Sequence, residues 1–340
     1  MEIVSDIIRE DPIPLDLDAG WLNRQLMNVP AAEKLVEIST VFNPGGIRTP
    51  GGKTILILRF ETRRGNSGLV CIDSEDGENW NLIPDSLHFS LINEGLEDPR
   101  VVWFNELSRY IITYVAAKRN SKIAFITTDE FKKNFERKGE ANFLDESDIK
   151  IKDRDNKDAC ILPVSVFVNG RKRFGLIHRP AIGGEKDMWF SYSSEEITKQ
   201  DLTNWEGHRC IAHTRQGTFW DNSHIGLGPQ PVELPKEFSR DMPEGFLLLY
   251  HGARIAGGGI IYRTSLMWFS LEHLTITHRS PYWILGPRGG YLGKVVFPGA
   301  AFYDPRIGEV VVYYGKDDDG FGRCFLSPQK GIAHLKSYPV

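Results

Sequence analysis

The sequence predicts an all-β chain closed radially into a five-bladed β-propeller. Five stretches open alike, with a turn-forming Pro or Asp beside apolar residues: Phe42-Asn43-Pro44-Gly45, Glu97-Asp98-Pro99-Arg100, Asp158-Ala159-Cys160-Ile161-Leu162-Pro163, Gly228-Pro229-Gln230-Pro231-Val232 and Val296-Phe297-Pro298-Gly299-Ala300. Short runs rich in Val, Ile, Phe and Tyr follow each opening, separated by Gly, Asp and Asn, which marks strands joined by tight turns rather than helices. The openings recur at roughly 55 to 70 residues, too long a period for a short-repeat array and long enough for a four-stranded blade. A two-sheet sandwich or a pair of β domains is the alternative arrangement.

The units are justified in chain order. Second strands are read at Ile55-Leu56-Ile57-Leu58, Tyr110-Ile111-Ile112-Thr113-Tyr114, Phe174-Gly175-Leu176-Ile177, Phe246-Leu247-Leu248-Leu249-Tyr250 and Val310-Val311-Val312-Tyr313-Tyr314. Third strands follow near Leu69-Val70-Cys71-Ile72, Ile123-Ala124-Phe125-Ile126, Met188-Trp189-Phe190, Leu266-Met267-Trp268-Phe269 and Arg323-Cys324-Phe325. Residues 31–340 are read as one propeller. Residues 1–30 have little strand character and are expected to form an extension, packed across a blade or serving in contact with another copy. The charged segment from Phe131 to Glu136 reads as a solvated loop, and Gly257-Gly258-Gly259 as a flexible loop over the central channel.

Composition narrows the function. With 340 residues, 41% of them hydrophobic, the chain can bury a large core. A net charge of −4 without a basic stripe argues against nucleic acid or an acidic membrane surface as partner. The first residues lack a basic and then apolar leader, and no apolar run is long enough to span a bilayer. Cys71, Cys160, Cys210 and Cys324 are scattered, with no CxxC and no Cys/His ligand spacing, so they read as buried small apolar residues of a protein in the reducing cytoplasm. No metal and no cofactor are expected.

The openings differ in one respect: only Glu97-Asp98 places an acidic pair immediately ahead of its strand. Asp98 would present a carboxyl at the channel mouth beside Arg100, where it could act as a general acid. Asp304-Pro305-Arg306 shows the same tripeptide in a plain turn beside Gly308, so context carries the distinction. The second strands end in ionisable groups at Arg59, His178-Arg179 and His251, and Asp318 follows the last. Trp189, Trp220, Trp268, Tyr262 and Tyr291 offer flat faces on which a sugar ring could lie, most tryptophans being core wedges.

Taken together these residues resemble glycoside hydrolase family 130, the mannoside phosphorylases and their hydrolytic relatives. The likeness runs through all five units, including Val41-Phe42-Asn43-Pro44-Gly45, Glu97-Asp98-Pro99-Arg100, Lys157-Asp158-Ala159, His178-Arg179-Pro180, Ile225-Gly226 with Gly228-Pro229, Leu249-Tyr250-His251-Gly252, Val295-Val296-Phe297-Pro298 and Tyr313-Tyr314-Gly315 with Asp318. The resemblance implies inverting cleavage of a β-mannoside oligosaccharide with Asp98 as proton donor, acting in the phosphorylases through a sugar hydroxyl. It implies a phosphate cradle of Lys157, Arg179, His224, His251 and Tyr262, and hydroxyl-binding groups in Asn43, Arg59, Arg100, Asp158 and Asp318. Lys157 and His224 stand where the family pattern has Arg and Lys; a lysine loses the bidentate fork, and a histidine is a cation only when protonated. Phosphorolysis, with inorganic phosphate as co-substrate, is the leading expectation. Hydrolysis by water is the alternative, with Glu233, Glu195 or Glu196 as base, and a non-catalytic sugar-binding propeller is the remote one. A homo-oligomer is possible.

Overall fold

The computed structural model describes residues 6–11, 15–27, 29–30, 37–89, 95–132, 134–146, 149–152, 154–287 and 294–340. Their strands form five sheets in which sequential neighbours pair antiparallel. The innermost strands are Ile38–Arg48, Gly95–Phe104, Asn156–Val168, His224–Leu227 and Val296–Asp304. The inner strands of blades one to four touch in turn, blade four meets the fifth through Gly245–Ala256 and Gly259–Ser270, and the fifth returns to the first through its contact with Ile38–Arg48. This is the five-bladed propeller that the repeated openings predict.

Closure of the ring draws on the start of the chain. Ile8–Glu10 pairs antiparallel with Gly320–Leu326, Ile8 opposite Leu326. These residues therefore form the outer strand of the fifth blade and are part of the propeller, where the sequence reading sets residues 1–30 apart as an extension. The helix Ala19–Leu26 begins at Asp18, whose carboxylate accepts the Trp21 N–H at 2.7 Å. Leu22 and Leu26, one turn apart, sink into the cluster of Val41, Leu58, Phe60 and Tyr313 between blades five and one.

The openings are not turns. Each of four lies inside an inner strand, where the pairing register slips: between Phe42 and Gly45, Glu97 and Arg100, Lys157 and Cys160, and Pro298 and Ala300. These are β-bulges, which add a residue and re-aim a side chain. At three of them the extra residue is left-handed: Asn43 (φ 43°), Asp98 (φ 45°) and Asp158 (φ 51°). Asn and Asp tolerate that conformation better than other residues with a Cβ. Neighbouring bulges nest so closely that a Cβ on Gly45 would lie 2.2 Å from the Pro99 carbonyl oxygen, and one on Gly299 2.3 Å from that of Pro44.

Packing between blades supplies the rest of the cohesion. Trp205 and Trp268 are fully buried wedges whose indole N–H groups donate to Leu202 O (2.8 Å) and Pro243 O (2.9 Å); truncating either to alanine would cost about 3–5 kcal/mol. Cys71, Cys160 and Cys324 are buried as expected, but Cys210 is only half-buried. Gly257 and Gly258 form a tight hairpin turn between Gly245–Ala256 and Gly259–Ser270, with φ of 56° and 82°, rather than a flexible loop. Phe131 departs from the solvated loop expected there: it is buried, its ring 4.6 Å from that of Tyr110. Among the described residues no helix is long and apolar enough to cross a membrane.

Candidate active site at one mouth of the propeller axis

Antiparallel pairing sets the end of each second strand beside its inner strand, at the bulge in four of the five blades. Arg59 faces Phe42, Val115 faces Glu97, Arg179 faces Lys157, His251 faces Gly226 and Gly315 faces Phe297. The same register in five blades brings these side chains to one end of the axis. They divide into an acidic half and a basic half.

Asp98 is the centre of the acidic half, with 13% of its side chain still exposed. Its Oδ1 accepts from Arg59 Nη1 at 2.9 Å and from Asn43 Nδ2 at 3.2 Å. Arg59 is fully occupied as a hub: Nη2 meets Glu61 (3.0 Å) and Glu97 (3.1 Å), and Nε donates to Ser67 Oγ (3.2 Å). Asn43 also hydrogen-bonds Asp318. Burial by itself would raise the Asp98 carboxyl, but the charges of Arg59 and Arg100 outweigh it and hold the group below the usual carboxylate value. Glu97 and Asp318 go the other way, raised by burial first and by the Asp98 charge as well, against the opposing pull of Arg59.

The basic half is organised by Asp158, a buried carboxylate. Its Oδ2 takes Arg179 Nε at 2.5 Å and His251 Nε2 at 3.1 Å, and its Oδ1 takes Arg100 Nη2 at 3.4 Å. Burial would raise Asp158; Arg179, His251 and Arg100 together bring it well below the usual value. The same Nη2 also donates to the Leu227 carbonyl (2.9 Å), while Arg100 Nε and Nη1 donate to those of Gly228 (2.6 Å) and Asp98 (2.8 Å), bracing blade two against blade four. Arg179 differs from Arg59 and Arg100: beyond its Nε bond, its terminal Nη1 and Nη2 have no hydrogen-bond partner among the described residues.

Around that free fork stand His224, His251, Tyr262 and Lys157. The Tyr262 ring lies 5.0 Å from His224 and 5.8 Å from His251. Its hydroxyl, raised by burial, feels Asp158, Arg179, Asp318 and Asp98, which places it between the two halves. Lys157 is partly exposed, its Nζ 3.8 Å from Glu97 Oε2. His224 departs from the conditional cation expected at its position: burial, then Arg179 and His251, push it down to about 3, so it is neutral near pH 7. His251 is lowered too, by burial against the support of Asp158. Buried His224 Nε2 and His251 Nδ1 have no protein partner among the described residues. An anion carrying both free oxygens and an O–H would satisfy His224 Nε2, the acceptor His251 Nδ1 and the Arg179 fork together.

Other candidates fall elsewhere. Glu233 lines a cavity of about 710 Å³ together with Ile47, Trp103, Gln230 and Ala301. That cavity lies at the far ends of the inner strands, on the order of 13 Å along the axis at about 3.3 Å per residue. Glu196 pairs with Arg171 (3.6 Å) on the outer side of blade three, and Glu195 precedes it in the same strand. His178 is locked between Asn156 (3.0 Å) and Ser191 (2.7 Å) inside blade three. Trp220 and Trp268 are buried, Trp189 packs on the blade-three core, and Tyr291 lies outside the described residues. Glu61, Glu97 and Ser67 set the orientation of Arg59; Glu61 and Ser67 escape the sequence reading of the site, and Arg59-Phe60-Glu61 shows the i, i+2 alternation that could flag Glu61.

No family model matches the chain. Compared with known proteins, it is 24% identical over 329 residues to a beta-1,4-mannooligosaccharide phosphorylase of Ruminococcus albus, covering 90% of this chain and 88% of the relative. The chain resembles the mannoside phosphorylases. Among solved structures it superposes on beta-1,2-mannobiose phosphorylase from Listeria innocua with a TM-score of 0.68, at 22% identity and covering 88% of this chain and 93% of that one. A mannose phosphorylase from Leishmania mexicana gives 0.58 at 14% identity, covering 92% and 95%. The two superpositions bear out the propeller along nearly the whole chain.

Proposed function

We propose that the protein is an inverting β-mannoside phosphorylase that transfers a mannosyl unit to inorganic phosphate. The observation that carries this reading is the free Arg179 fork beside two buried, unpartnered imidazole nitrogens, facing a carboxylate across the axis. A phosphorylase needs no second carboxylate to activate water, because phosphate is already an anionic nucleophile. None of Glu195, Glu196 and Glu233 stands at this mouth, and Asp158 is held by Arg179, His251 and Arg100. The mannoside phosphorylase relatives support the same choice.

In this reading Arg179, Lys157, His224, His251 and Tyr262 hold phosphate against one face of the mannose ring. His224 acts as a neutral N–H donor from Nε2, whereas neutral His251 gives its Nε2 proton to Asp158 and offers Nδ1 as an acceptor for a phosphate O–H. Asn43 and Asp318 bind sugar hydroxyls, while Arg59, Arg100 and Asp158 position the others. Asp98 supplies the proton to the leaving oxygen. Among the protein's own charges its carboxyl is ionised near pH 7, so a bound anion also helps to protonate it. One negative charge ~8 Å away at an effective dielectric of ~20 is worth about 2 kcal/mol, or ~1.5 pKa units, towards the protonated form. Free thiols at the four cysteines suit the phosphate-rich cytoplasm.

The test is to incubate β-1,2- and β-1,4-mannobiose with the protein, with and without phosphate. Phosphate-dependent α-mannose 1-phosphate is expected. Free mannose released at the same rate without phosphate would overturn the assignment in favour of hydrolysis.

A further inference from the structure

Blade three carries a second cluster of chemically capable side chains, outside the site at the axis. Met188 pairs with Ala212 across the strands Met188–Glu196 and Asn204–Ala212, and the register slips by one residue immediately afterwards. Asp187, before one strand, is thereby set against Cys210 and His213 at the end of the other. Asp187 Oδ2 lies 2.7 Å from His213 Nδ1 and 3.9 Å from Cys210 Sγ, and the thiol lies 3.5 Å from the same Nδ1. Three different donor atoms face one point. Cys210-Ile211-Ala212-His213 is a C-x-x-H spacing, contrary to the sequence reading that finds no Cys/His ligand spacing; an imidazole stands where CxxC has its second thiol.

We propose that Asp187, Cys210 and His213 form a binding site for a zinc-class divalent cation. A tetrahedral ion bonded at about 2.3 Å to sulfur and about 2.0–2.1 Å to nitrogen and oxygen holds its ligands about 3.6 Å (S to N or O) and about 3.3 Å (N to O) apart. The Sγ–Nδ1 edge of 3.5 Å matches, and the Sγ–Oδ2 edge of 3.9 Å must close by about 0.3 Å. The His213–Asp187 edge must open by about 0.6 Å, and the His213 side chain is 74% exposed and free to shift. Asp187 is pre-oriented: it is buried, and its second oxygen accepts the Thr214 N–H at 2.8 Å. Glu185 and Asp187 add negative potential, against Arg279.

The donor set selects the ion. Thiolate, imidazole and one carboxylate suit zinc and its soft neighbours, whereas magnesium and calcium take oxygen. A catalytic Cys-His-Asp relay does not fit, because thiol and carboxylate address the same imidazole nitrogen. Burial and the Asp187 charge also hold the thiol up at about 12. Binding proceeds by exchange: the Cys210 S–H bond breaks as the metal–sulfur bond forms, and the proton leaves to solvent. The His213 proton moves to Nε2, leaving the Nδ1 lone pair for the ion. Three protein ligands leave a fourth position for water. The ion would pin the turn 181–187, whose Lys186 carbonyl accepts the Ile225 N–H at 3.1 Å beside His224.

Cobalt(II) is the probe. The reduced, chelator-treated protein is titrated with it and followed by absorption. A thiolate-to-cobalt charge-transfer band saturating at one equivalent and displaced by zinc is expected. It should vanish in Cys210→Ser, and His213→Gln, altered at an exposed side chain, should bind about 100-fold more weakly. Circular dichroism melts of both variants verify folding. Absence of the band in the native protein, or its survival in Cys210→Ser, would overturn the proposal.

Discussion

Gly226→Ala tests the organisation of the basic half with one methyl group. A Cβ there would stand 2.2 Å from Asp158 Oδ2 and 2.7 Å from His251 Cε1. Ordinary contacts are roughly 1 Å longer, so Asp158 or His251 must retreat. Asp158 cannot retreat without stretching its 2.5 Å bond to Arg179 and its 3.1 Å bond to His251. The disturbance therefore passes to the Arg179 fork, the proposed phosphate holder. A misplacement of about 1 Å costs about 100-fold in rate, and a loosened buried ion pair about 3 kcal/mol of stability. The assay is mannose 1-phosphate release at varied phosphate, with a thermal melt alongside. Gly51→Ala is the control, since the nearest atom to its new Cβ, Thr49 Oγ1, is 3.8 Å away. A Gly226→Ala enzyme within about threefold of the parent in phosphate KM and kcat would refute the argument that these contacts place Arg179.

Asp98→Asn should lower kcat by about 10³-fold while calorimetry finds mannobiose bound nearly as before; substantial turnover would remove Asp98 as donor. Arg179→Ala should raise the phosphate KM about 10- to 100-fold, the worth of charge-assisted bonds of about 1.5–3 kcal/mol, and an unchanged KM would displace it from the cradle. Acid should destabilise the fold in two overlapping ranges. His224, at about 3 when folded and about 6.5 unfolded, binds fewer protons in the folded state, so its contribution is complete above pH ~6.5 and is lost as pH falls towards 3. Asp158, held well below its unfolded value near 3.9, adds a further loss below pH ~4. Calorimetric melts from pH 7 to 3 should decline throughout, and a transition unchanged across that range would contradict the assigned shifts.

Much of this architecture is legible in the sequence because blade chemistry is local. The five apolar second strands and the Gly- and Asn-bearing turns fix where strands run. The ends of those strands at Arg59, Arg179 and His251 reach the site because antiparallel pairing returns them to the inner strand. What local pattern cannot separate is a turn from a bulge: Asp98-Pro99-Arg100 and Asp304-Pro305-Arg306 share a tripeptide, yet one kinks mid-strand at φ 45° and the other closes a strand end, where Arg306 bonds Asp304. Nor can spacing tell a free arginine from a spent one. Arg59 and Arg100 read as hydroxyl binders in the sequence, and only the fold shows their nitrogens already engaged by partners from other strands. The protonation state of His224 is equally out of reach, since it depends on burial and on Arg179, forty-five positions away. The outer strand Ile8–Glu10 escapes notice because a three-residue run has no periodicity to read.

Aiming a functional group from a kinked inner strand, rather than from a connecting segment, separates two kinds of heritable change. Asn43, Asp98 and Asp158 each rest on a strand gripped by its neighbours on both sides. Segments that rim the mouth can lengthen, shorten or swap residues without shifting the atoms that handle the bond being broken. On the proposed function, a change of acceptor sugar at the rim need not disturb the cleavage step.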